Sequence, residues 1–117
     1  MNDTNGMRRR AQLDRLKAVE NPKGIFRTTL SFNPQSMLCH FRMNKGSEVP
    51  LHNHAAVQHG YVIRGRLRFL LDEGKSFIAE PGCSYVFDSW EQHGAQILED
   101  SEVMEFFVPM RPEYADN

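Results

Sequence analysis

Residues 46–65 read GSEVPLHNHAAVQHGYVIRG, and the spacing of the histidines in this stretch decides how the rest of the chain is read. His52 and His54 stand two positions apart, so on an extended strand they leave one face about 7 Å from each other, and Gln58 keeps the same parity. With His93 further along the chain, three or four ligand-type side chains point at one spot. Imidazole nitrogen is a borderline ligand suited to iron, nickel, zinc, copper or manganese, so His52, His54 and His93 predict a transition-metal pocket. Gln58 is either a direct ligand through its amide oxygen or a hydrogen-bonding partner of the ligands. His59 falls on the opposite face unless a bulge exchanges the two. His40 lies in MLCHFRM, where Met37, Cys39, Phe41 and Met43 form the apolar side, and it shares the other side with Arg42.

Outward from this stretch the apolar period is two. Strands are expected over 26–32, 37–43, 57–63, 66–71, 76–79, 85–87, 95–98 and 103–108, separated by Asn33-Pro34, Lys45-Gly46, Arg64-Gly65, Glu73-Gly74, Pro81-Gly82 and Asp100-Ser101. Short strands at close spacing predict an all-β antiparallel sandwich or barrel, since double layering or closure removes exposed sheet edges. Residues 8–19 could form an amphipathic turn or two with Leu13, Leu16 and Val19 on one side, stopped by Asn21, Pro22 and Gly24. Residues 1–24 therefore read as a tail and lead-in, and residues 25–117 as one domain.

A chain of 117 residues suffices for one modest core. Its 40% apolar and 25% charged residues are the proportions of a globular protein. A net charge of -1 argues against nucleic acid as a partner, because the one dense basic cluster, Arg8 to Arg10, lies in the polar tail and reads as solvated. No apolar run approaches a membrane span and the first residues carry no signal-like stretch, so a cytoplasmic location is expected. Cys39 and Cys83 sit far apart inside predicted strands and read as small buried hydrophobes.

These residues carry a resemblance. The spacing of Gly46, His52, His54, Gln58 and Gly65 resembles the first cupin motif, with Gln where most cupins have Glu. Gly82 and His93 are spaced like the second, with Asp88 and Trp90 where Pro and Gly are usual and Ile97 where Asn is usual. The resemblance implies a small single-domain cupin over residues 25–117. Its fold would be a double-stranded β-helix, a jelly-roll-like barrel holding one divalent transition-metal ion (Ni, Mn, Fe or Zn) at its open end and commonly paired as a homodimer.

A narrower likeness rests on Gln58, Tyr61-Val62 and Gly65 together with HGAQILEDSEVMEFFVPMRPEY at 93–114. It resembles the pectin-degradation cupins that open the ring of unsaturated monouronates, in which a His-His-Gln-His site is typical. An acidic residue, a Phe and an Arg follow that site, here Glu105, Phe107 and Arg111, with Glu standing where Asp is usual. The implied function is conversion of a 4,5-unsaturated monouronate to a linear keto acid, with Glu105 and Arg111 catalytic and Phe107, Tyr61 and Trp90 against the substrate. Each has a plainer alternative: Glu105 as an outward strand residue, Arg111 as a surface ion pair, Tyr61 and Trp90 as packing. Neutral ligands leave the charge of a divalent ion uncompensated, which favours a small anionic partner such as a carboxylated sugar. Two other functions fit three histidines: a metal-dependent dioxygenase acting on a diketone or flavonol, and a non-catalytic cupin that binds a small anion.

Overall fold

The computed structural model describes residues 6–116. It is nearly all strand: β1 (Val19–Glu20), β2 (Ile25–Asn33), β3 (Ser36–Met43), β4 (Glu48–His52), β5 (Val57–Leu70), β6 (Ser76–Ala79), β7 (Ser84–Phe87) and β8 (His93–Val108), with three short 3-10 turns. Every pairing is antiparallel. The β2–β3 turn is local chemistry, since Asn33 Oδ1 accepts from Gln35 N at 3.0 Å and Ser36 N at 2.9 Å, closing the chain on itself.

The two long strands, β5 with 14 residues and β8 with 16, build the barrel. The first half of β5 pairs with the last part of β8, flanked by β7 on one side and by β3, β2 and β1 on the other. The second half of β5 pairs with the start of β8, flanked by β6 and β4. Each strand thus belongs to two layers, which fold onto each other in jelly-roll fashion around a core that includes Val62, Val103, Leu67, Phe69 and Met37.

The crossing between layers sits at Gly65 and Ser101. There the ladder slips register between Val62 and Leu67, and Gly65 takes φ 98°. A Cβ at Gly65 would lie 2.1 Å from Ser101 Oγ and 2.5 Å from Ser101 Cα, so no side chain fits. Ser101 is fully buried; its hydroxyl accepts from Arg66 N at 3.1 Å and donates to Glu99 O at 2.6 Å, occupying backbone groups that the bulge leaves without ladder partners.

The separators expected at Arg64-Gly65 and Asp100-Ser101 are therefore bends inside continuous strands. The expected strands leave out β4, although His52 at its end is read as a strand residue, and Pro50 lies within it. As an edge strand pairing only with β8 it tolerates the missing donor. The 8–19 turn is reduced to a 3-10 turn at Leu13–Arg15, with Leu13 and Val19 exposed. Arg8 is not solvated: it bridges to Phe32 and is buried, while Arg9 and Arg10 are exposed. Among the described residues no helix is long and apolar enough to cross a membrane.

Candidate metal centre

The bent ladder brings distant residues together. His52 ends β4 and lies opposite His93, which opens β8. His54 is beyond the strand, in the loop at 53–56, so strand alternation is not what aligns it with His52. Instead the loop is tied to the 88–91 turn by Trp90 N donating to His54 O at 2.8 Å and Ser89 Oγ donating to Ala55 O at 2.6 Å. Gln58 comes from β5, opposite Phe87 and Phe107, rather than from the strand of His52. The imidazole centroids nonetheless lie 4.5 Å (His52–His93), 4.9 Å (His54–His93) and 5.6 Å (His52–His54) apart. One ligand nitrogen from each ring lies within 4.8 Å of the others, so the cluster could hold a metal ion.

Each ring is held in one tautomer by its own backbone. Nδ1 of His52 donates to Pro50 O at 2.9 Å, that of His54 to Ala56 O at 2.8 Å, and that of His93 to Glu91 O at 2.8 Å. A carbonyl only accepts, so the proton resides on Nδ1 and the lone pair of a neutral ring sits on Nε2. Burial depresses the pKa of His93 to about 4 and, with Arg111 nearby, lowers that of His54, so these rings are neutral near pH 7. His93 is further fixed by stacking on Phe87 at 4.5 Å with planes 7° apart.

Gln58 Oε1 stands 3.0 Å from His54 Nε2 and 3.2 Å from His93 Nε2. Its orientation follows from the other end of the amide, whose NH2 donates to the Glu105 carboxylate. An oxygen and two unprotonated nitrogens thus face one another with no hydrogen between them. Such a ring of Lewis bases repels itself unless a cation sits among the lone pairs. Two ligands at about 2.1 Å and a right angle stand about 3.0 Å apart, close to the separations here. The donor set fits a divalent transition metal.

Glu105 faces inward, 5% exposed, sharing the parity of Val103 and Phe107; it is not an outward strand residue. Its Oε2 accepts from Tyr85 Oη at 2.6 Å, and burial raises its pKa against the hydrogen bonds from Tyr85 and Gln58. Gly60 makes room for that tyrosine: a Cβ there would lie 2.0 Å from Tyr85 Cζ.

The pocket reached from this cluster is lined by His52, Gln58, His93, Glu105, Phe107, Arg111 and Tyr114, together with the apolar Ile25, Phe41, Met43 and Val49, and with Asn21 and Pro22 at the β1–β2 loop. Arg111 is largely covered and donates through Nε and Nη2 to Glu113 at 3.1 and 3.0 Å, so it makes the expected ion pair while also lining the pocket. Phe107 meets His54 edge-on at 6.0 Å.

Two expected substrate contacts are not brought to this pocket. Tyr61 is 51% exposed on the outward face of β5, in a shallow recess with Leu38, His59 and Met104, because Gln58 and Tyr61 differ in parity. Trp90 is 63% exposed at a turn where its φ is 65°. His59 faces outward as its parity predicts, and His40 pairs with Glu102 at 2.6 Å. Cys39 is a buried thiol pushed up to about 12 by desolvation, consistent with a packing role, and Cys83 is half-buried. Tyr85 and Tyr114 were missed; both read as packing aromatics, and only long-range pairing puts them beside Glu105 and Arg111.

Residues 39–109 match the family model described as Cupin domain. Among solved structures, an RmlC-like cupin from Shewanella frigidimarina NCIMB 400 superposes with a TM-score of 0.86 at 23% identity, over 93% of this chain and 98% of that one. KdgF from Halomonas sp. superposes with a TM-score of 0.81 at 30% identity, over 88% and 96%. The polyketide cyclase RemF from Streptomyces resistomycificus has a TM-score of 0.75 at 22% identity, over 91% and 82%. No curated protein matches the chain.

Proposed function

We propose that this chain, which belongs to the cupin domain family, is a metal-dependent enzyme that opens and tautomerises the ring of a small carboxylated sugar, converting a 4,5-unsaturated monouronate to a linear keto acid. The observation that carries this reading is the convergence of three Nε2 lone pairs and the Gln58 oxygen beside an enclosed carboxylate, Glu105, and a guanidinium, Arg111. The 30% identity with KdgF over most of both chains supports it. So does the resemblance of residues 58–111 to the pectin-degradation cupins.

His52, His54, Gln58 and His93 would hold one divalent ion, nickel, manganese, iron or zinc, which supplies Lewis acidity toward substrate oxygens. Arg111 receives the carboxylate, as guanidinium groups do in two-pronged fashion. Glu105 takes the proton of the anomeric hydroxyl as the bond from C1 to the ring oxygen breaks, leaving an aldehyde at C1 and an enolate across C4, C5 and the former ring oxygen. The same carboxyl delivers that proton to C4, which turns the enolate into the ketone at C5 and completes the keto acid; the sum is an isomerisation. Its raised pKa moves Glu105 toward neutrality, where one group both accepts and donates effectively. Tyr85 Oη holds the carboxylate in place.

A second reading has its own support. The wall formed by Ile25, Phe41, Met43 and Val49 is apolar, which suits a diketone or flavonol cleaved with dioxygen better than a polyhydroxylated ring. Metal-loaded protein mixed with an unsaturated galacturonate should remove the absorbance of the conjugated double bond equally with and without oxygen. Decay that requires oxygen favours the second reading. No decay under either condition refutes the isomerase.

A further inference from the structure

We propose that Arg27 is a positioning residue, acting through Tyr114 to hold Arg111 against the pocket. Arg27 is a charged residue on the inward side of β2, 6% exposed, where the alternation of that strand calls for an apolar one. Its guanidinium grips Asp116 with two prongs, Nη2 to Oδ2 at 2.7 Å and Nη1 to Oδ1 at 3.1 Å. Nη1 also reaches Tyr114 O at 3.3 Å, and Thr29 Oγ1 donates to the same carbonyl at 2.6 Å. Arg8 adds a second buried guanidinium, donating to Thr29 O at 2.7 Å and to Asp116 O. The segment after β8 is thereby clamped to β2 by two buried guanidinium groups, the Arg27 one gripping a half-buried carboxylate in two-pronged fashion.

The clamp continues to the pocket. The Arg27 guanidinium carbon lies 4.2 Å from the Tyr114 ring centroid, and that of Arg111 lies 4.1 Å from the same centroid. Tyr114 in turn meets Phe107 edge-on at 5.6 Å and Phe41 at 6.5 Å, both pocket residues. Tyr114 is therefore shared between a guanidinium anchored by Asp116 and one that faces the pocket. Two cations at one ring are tolerable where each has its carboxylate, Asp116 for Arg27 and Glu113 for Arg111. Removing Arg27 takes from Tyr114 the guanidinium on its ring and one of the two donors to its carbonyl, Thr29 Oγ1 remaining, and so loosens the ring against which Arg111 rests.

This inference rests on the reading of Arg111 as the carboxylate receptor, and its test separates the two. Affinity of the metal-loaded protein for D-galacturonate is measured for the parent, Arg27→Met, Arg111→Met and the double variant, together with hydrogen exchange at the Tyr114 and Ala115 amides, which bond to Arg111 O and Pro112 O at 2.9 and 3.1 Å. Arg27→Met should weaken binding about tenfold in the parent and not at all in the Arg111→Met background, since coupled residues are not additive. The two amides should exchange at least about tenfold faster with β8 unchanged. Equal losses in both backgrounds, or unaltered exchange, overturn the positioning role. If the parent does not bind D-galacturonate, the carboxylate reading fails, and the exchange arm alone decides whether Arg27 holds the segment. Asp116→Asn, at a side chain 37% exposed, repeats the measurement should Arg27→Met not fold.

Discussion

The inner and outer faces of the sheet formed by β3, β8, β5 and β7 each depart, at a few positions, from the usual arrangement of an antiparallel sheet. Toward water, where polar residues are the rule, this sheet presents Tyr61, Ile63, Phe106, Val108 and Val86, each more than 40% exposed. Toward the enclosed side, among apolar residues, the same strands carry Gln58 and Glu105, both buried and hydrogen-bonded to each other. One face has apolar groups in contact with solvent, the other has an ionisable group withdrawn from it. Both cost stability in the isolated chain, so both point to partners: a cation and an anion within, and an apolar surface without. We propose a second copy of this chain as the outer partner, in keeping with the homodimer that the cupin resemblance implies.

The strongest way to break the contrast is to remove a lone pair from the inner face. His93→Ala should reduce bound metal, read by elemental analysis after dialysis, from about one ion per chain to background, since loss of a direct ligand exceeds the 10- to 100-fold typical of its hydrogen-bonding partners. Metal retained at the parent level would show that the imidazoles do not form the site. Glu105→Gln keeps the shape and the bond from Tyr85 but cannot exchange a proton. It should lower turnover of the unsaturated uronate, expressed per bound ion because Gln58 loses its carboxylate partner, by about a hundredfold to ten-thousandfold.

Acidification tests the desolvation of the inner face directly. In metal-stripped protein the His93 ring is neutral in both folded and unfolded chains above pH 6.5; between 6.5 and about 4 only the unfolded chain takes up the proton, and below about 4 both do. Stability is therefore fully present above pH 6.5 and falls as pH drops toward 4, by about 3 kcal/mol. Urea midpoints at pH 7 and pH 4.5 measure it, and a His93→Phe variant should flatten the slope. The smallest effect on the fold belongs to the outer face. Phe106→Asp should change monomer stability by only about 0.5 kcal/mol while halving the mass seen by light scattering. A parent that is already monomeric at high concentration would leave the outer face without the proposed copy.

Much of this arrangement is legible in the residues themselves. Period-two alternation marks most strands, and parity groups Glu105 with Val103 and Phe107 and sets His59 opposite Gln58, while burial in the fold shows which face is enclosed. What parity does not carry is pairing between distant strands. Tyr85 meets Glu105 because both flank Gly60 on neighbouring strands, a register that no local pattern encodes. Arg27 and Arg8 look like surface charges until Asp116 is folded against them. His54 was correctly grouped with His52 although the reason differs, since a loop held by Ser89 and Trp90, rather than pleating, turns it inward. Tyr61 and Trp90 were assigned on likeness to a family and lie where water reaches them.

The kink at Gly65 and Ser101 has a consequence for how the molecule comes apart. Because β5 and β8 each supply backbone to both layers, neither layer retains a full complement of ladder bonds when the other opens. His93 and Gln58 stand on opposite sides of that crossing. Partial melting therefore has nowhere to stop: opening of one layer and collapse of the other are one cooperative event, with or without an ion among the imidazoles.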